Sequence, residues 1–95
     1  MKRVMRRNRN TPILTDVGFA ADLAEAKAVA EADATKRDRW AVYELESVYG
    51  NTVMTVRQVN GEYHVLLVDE PNNRPSEERI AQIMSRFETE FVEVD

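Results

Sequence analysis

The sequence predicts a small α+β domain, a three- to four-stranded antiparallel sheet packed with two helices. Three observations carry this. Two turn-forming pairs, Gly50-Asn51 and Asn60-Gly61, separate three stretches rich in alternating apolar residues, the pattern of a hairpin meander. An alanine-rich segment precedes the meander, and an apolar stripe at helical spacing follows it. With 43% hydrophobic and 32% charged residues, three Gly and three Pro, the composition is that of a globular chain.

In chain order, residues 1–10 read as a basic N-terminal arm and residues 11–95 as the single folded domain. The arm holds Lys2, Arg3, Arg6, Arg7 and Arg9, five of the thirteen Lys and Arg, and none of the seventeen Asp and Glu. Residues 1–10 therefore carry +5. The remaining eight bases against seventeen acids leave residues 11–95 at -9. Pro12 biases Thr11 toward extended angles, so a short extended segment is expected there.

The first helix is expected over 22–37. Asp22 followed three residues later by Glu25 resembles a capping box, and Leu23, Ala26, Val29, Ala30 and Asp33 or Ala34 share one face. Because that face is mostly alanine, the helix should lie close against what it covers.

Strands are expected at about 40–48, 52–59 and 62–68. If both loops are two residues long, Tyr49 faces Thr52 and Val59 faces Glu62. One sheet face then carries Ala41, Tyr43, Leu45, Ser47, Met54, Val56, Tyr63, Val65 and Leu67, and is almost wholly apolar. The other face forms rows Val42–Val59–Glu62, Glu44–Arg57–His64, Glu46–Thr55–Leu66 and Val48–Val53–Val68. Its last row, with Leu66 beside it, is an apolar corner that requires a cover, either the second helix or another chain.

The segment "DEPNNRPSEER" is a loop leading to a second helix over 76–88, capped by Ser76. Ile80, Ile83, Met84 and Phe87 make its apolar stripe. The final "EFVEVD" alternates, so a C-terminal strand over 90–94 is expected at a sheet edge.

Several function classes recede on composition. There is no Cys, which removes disulfides, thiolate nucleophiles and Cys-based metal sites. No apolar run approaches the ~20 residues of a membrane span, and the basic start lacks the apolar core of a secretory signal, so a cytoplasmic protein without membrane contact is expected. No phosphate loop, dinucleotide fingerprint or nucleophile elbow occurs. His64, the one histidine, stands beside Arg57 without a nucleophile or second base; a His64-centred enzyme site is the weaker reading against a cross-strand charge ladder. Asp69, Glu70, Asn72 and Asn73 do not match a calcium-loop spacing, and no metal, cofactor or small-molecule substrate is inferred. Trp40, Tyr43, Tyr49 and Tyr63 could stack nucleic-acid bases, but Tyr43 and Tyr63 fall on the core face.

The expected function is thus non-enzymatic: a protein–protein interaction domain, acting as an accessory or inhibitory factor on a larger partner or assembling with a second copy of itself. The expected contact is the corner Val48, Val53, Leu66 and Val68 with Trp40, while Glu44, Glu46, Asp69 and Glu70 steer a basic partner such as a nucleic-acid-binding machine. The rival reading is binding of nucleic acid through Lys2, Arg3, Arg6, Arg7 and Arg9, and the same residues could instead meet an acidic protein surface, that of a partner or of a second copy.

Overall fold

A computed structural model describes residues 1–8, 11–70 and 76–91, with side chains in the last stretch at 76–83 and 85. The elements run β1 (Lys2–Arg7), β2 (Leu14–Ala20), α1 (Leu23–Arg37), β3 (Ala41–Leu45), β4 (Thr52–Val59), β5 (Glu62–Asp69) and α2 (Glu77–Phe91). The strands form one antiparallel sheet of order β2-β1-β3-β4-β5. The α+β class holds, with five strands rather than three or four.

The added strands come from the N-terminus. Instead of a free arm, Lys2–Arg7 is an internal strand, paired with β2 on one side and β3 on the other. Its alternation explains this: Val4 and Met5 are both buried, one on each face of the sheet. The expected C-terminal strand fails at its start, since residues 90 and 91 belong to α2; residues 92–94 lie outside the described stretch, as does Arg9.

Helix α1 begins as its sequence dictates. Asp22 caps it, its carboxylate accepting from the Glu25 amide at 2.9 Å, while Glu25 accepts in return from the Ala21 amide at 2.7 Å. Asp38 ends it in a left-handed conformation, a place usually taken by Gly. Its carboxylate accepts from the Tyr63 hydroxyl. Ala26, Ala30 and Ala34 are fully buried, and α1 crosses all five strands. Their small side chains permit the close approach: a Cβ added at Gly18 would stand 2.8 Å from Val29 Cγ1.

The meander keeps one expected turn and loses the other. Asn60 and Gly61 both adopt positive φ, and Val59 pairs with Glu62, as a two-residue hairpin requires. Strand β3, however, stops at Leu45, which pairs with Thr52 in place of Tyr49. Asn51 is the cause. Its side chain accepts from the Ser47 amide and donates to Glu44, closing a six-residue loop over 46–51. Four residues is an even shift, so Tyr43, Leu45, Met54 and Val56 still share a face while the cross-strand rows move. A bulge opposite Thr55 and Val56 inserts Leu66 into β5. Beyond it Leu67 pairs with Thr55 and Val68 with Met54, so these two residues exchange their expected faces.

The two helices take opposite faces. Toward α1 lie Val4, Tyr43, Leu45, Met54 and Val56. Away from it lie Met5, Val42, Glu44, Val53 and Thr55, all buried. Ile80 and Ile83 of α2 belong to the same core, and Arg7 joins Glu44 to Glu77 in the first turn of α2. The second helix therefore covers the face that α1 leaves open.

Candidate functional site

The basic residues at the start of the chain are used internally. The Arg3 guanidinium forms two hydrogen bonds to the Glu46 carboxylate, the shorter 2.9 Å, the Arg3 backbone amide adds a third at 3.5 Å, and the side chain lies 3.7 Å from Asp16. Hydrogen bonds from Arg3 hold the Glu46 carboxyl below its ordinary 4.5. Arg6 donates to both oxygens of Asp33 at 3.2 and 3.0 Å. Arg7 donates to Glu44 at 3.2 Å and pairs with Glu77. Strand β1 thus distributes its charge to β2, β3, α1 and α2.

Two of these pairs are sheltered. Glu44 is 0% exposed; one carboxylate oxygen accepts from Arg7 and the other from Asn51 Nδ2 at 3.0 Å. Such burial is tolerable only with charge and hydrogen bonds supplied together. On the other face, Asp33 also accepts from the Tyr43 hydroxyl at 2.5 Å. Burial first, and then the bond to Asp33, hold the Tyr43 phenol well above its ordinary 10.0.

This has a stability consequence. A folded pKa above the unfolded one gives stabilisation that is complete below about pH 10 and lost as pH rises toward the folded value. Tyr43→Phe is expected to flatten the alkaline decline in urea-unfolding free energy, at the cost of the bond to Asp33. Equal slopes above about pH 10 in the two proteins would show that Tyr43 carries none of that decline.

The expected site residues separate. Trp40 is 3% exposed and Val53 is fully buried, so both are core. Val68 packs partly buried against that core, on the face opposite to Val53. Val48 is 90% exposed in the 46–51 loop with Tyr49 beside it. The expected corner of Val48, Val53, Leu66 and Val68 therefore does not assemble, because the shortened β3 and the bulge in β5 move its members apart. Glu44 is buried and Glu46 is held by Arg3, so neither faces outward freely. Glu44 also meets Arg7, where the expected row had Arg57. Arg57 still pairs with His64, and His64 stands between Glu62 at 3.3 Å and Glu31 at 3.6 Å.

Two expected residues lie on open surface, Val48 in the 46–51 loop and Leu66 on β5. Leu66 is 48% exposed and the adjoining Leu67 37%. Both lie on β5, an edge strand whose neighbour in the sheet is β4. Edge strands present unpaired backbone groups to any extended segment nearby. Here the Val65 amide donates to Glu31 Oε2 at 3.2 Å, a side chain from α1 standing where the carbonyl of a further strand would stand. Glu62 begins β5, Asp69 ends it and Glu70 follows directly. The candidate site is therefore an eight-residue edge with two exposed leucines set among acids. Sequence reasoning placed Leu66 in the open but put Leu67 on the core face, because a bulge leaves no single-residue signal.

Among the described residues, no helix is long and apolar enough to cross a membrane. Comparison of the chain with protein-family models, with curated proteins and with solved structures finds no match in any of the three.

Proposed function

We propose that this chain is a non-catalytic protein-interaction domain, an accessory or inhibitory factor that docks on a larger protein. The observation that carries the reading is the exposed Leu66–Leu67 pair on β5, which is an edge strand among the described residues. Two adjacent leucines at an edge are a surface that natural sheets ordinarily blunt with charge or proline. The rest of the fold supports the same reading: buried Glu44 is held by Arg7 and Asn51, half-buried Asp33 by Arg6 and the Tyr43 hydroxyl, and His64 stands between two carboxylates.

The rival, nucleic-acid binding through the N-terminal basic residues, loses its motive. Arg3, Arg6 and Arg7 each have an acidic partner within the chain. A phosphate backbone would have to compete with those partners, and the surrounding chain is acidic.

The test is affinity capture from lysate of the native host, read by quantitative mass spectrometry, with the intact protein and with Leu66→Lys/Leu67→Lys. Both substitutions lie on exposed positions, so thermal unfolding of the double variant should stay close to that of the parent. A protein retained by the parent and lost by the variant is the expected result. Identical captures from the two would sink the reading.

A further inference from the structure

We infer that β5 receives an added strand from its partner, and that this strand is basic on both sides of a short apolar centre. The inference rests on the interaction reading above and specifies the chemistry of the partner. Strand addition supplies backbone hydrogen bonds for affinity and side-chain neighbours for selection. Both are present along this edge.

The backbone part is marked by Glu31. Its carboxylate accepts from the Val65 amide, so one outward-facing donor of β5 already has a surrogate partner contributed by α1. An incoming strand replaces that carboxylate with its own carbonyl. Glu31 is then released beside the new strand, where a lysine or arginine can meet it.

The side-chain part is set by charge. Glu62 stands at one end of the edge, Asp69 and Glu70 at the other, and Glu31 near the middle. Leu66 and Leu67 lie between Glu31 and the far acids. Opposite-charge cross-strand pairs stabilise a sheet and like-charge pairs weaken it. A second copy of this chain is accordingly the poorer occupant: antiparallel pairing about a twofold at Leu66 sets Glu62 of each copy against Glu70 of the other. A basic segment with two apolar residues at its centre meets leucines with apolar groups and carboxylates with cations.

The experiment uses the full chain and two fluorescein-labelled decapeptides, read by fluorescence anisotropy at low salt. Both have two central valines and alternating threonines; one carries lysine and arginine on each side, the other glutamate at those positions. The basic peptide is expected to bind at least about tenfold more tightly, the change that two or three favourable cross-strand pairs supply, and to weaken as salt is added. Glu31→Gln/Glu62→Gln/Glu70→Gln should erase most of the difference while leaving the fold intact. N-methylating alternate amides along one edge of the basic peptide should abolish binding, and along the other edge should not.

Equal affinity for the two peptides would overturn the charge assignment. Binding indifferent to N-methylation on either edge would overturn strand addition. If neither peptide binds while Leu66→Lys/Leu67→Lys still loses a captured protein, the strand-addition inference falls and the interaction reading stands. If the parent sediments as a dimer that this double variant breaks, the occupant is a second copy and the inference is wrong.

Discussion

Replacing Arg7 with leucine is expected to lower the stability of the fold by about 3–5 kcal/mol, the cost of stranding a buried carboxylate. Glu44 is completely enclosed, and Arg7 sets a cation against one of its carboxylate oxygens while the Asn51 amide donates to the other. The Arg7 side chain is itself mostly sheltered, at 12% exposure, so water cannot readily take its place. The double variant Arg7→Leu/Glu44→Leu should recover most of the loss, because removing both charges also removes the desolvation that made each need the other. A double-mutant cycle in urea measures the coupling. If Arg7→Leu costs less than about 1 kcal/mol, the pair is no stronger than an exposed one, and the account of β1 as the strand that neutralises the buried acids is wrong.

That account also explains which parts of the fold were legible. The Asn60-Gly61 turn is encoded where it occurs, since both residues tolerate the positive φ that a two-residue hairpin needs. Asp22 and Glu25 likewise announce the start of α1 within four residues. Gly50-Asn51 carries a similar local signal, yet the Asn51 side chain is drawn to Glu44 and the Ser47 amide, and the loop lengthens. Strand β1 was harder still. It offers two apolar residues, Val4 and Met5, among bases whose partners Asp33, Glu44, Glu46 and Glu77 lie 27 to 70 residues away. A signal was present nonetheless. Asp33 shares the inward face of an alanine helix and Glu44 interrupts an apolar strand, and each needs a cation that the rest of the chain, at -9, is poor in. The surplus of five bases in residues 1–10 and that deficit are two ends of one arrangement.

Ile80→Ala is expected to cost about 2–5 kcal/mol, and Ile80→Val about 0.5–1.5, as for a side chain enclosed on all sides. The graded pair tests which face of the sheet α2 covers. The sequence allowed the second helix either face, because its stripe at Ile80, Ile83, Met84 and Phe87 identifies an inward side without naming what it meets. Structure resolves this through Arg7, which reaches Glu44 beneath and Glu77 in the helix above, and through the complete burial of Val42 and Val53 on the side away from α1. If α2 is the lid over that face, loosening it should also admit water to Glu44. Arg7→Leu should then cost less in an Ile80→Ala background than in the parent, a coupling that independent sites would not show. Additive losses would mean that the ion pair stays dry without the Ile80 contact, and that the burial of Glu44 owes more to the neighbouring strands and the 46–51 loop than to the helix.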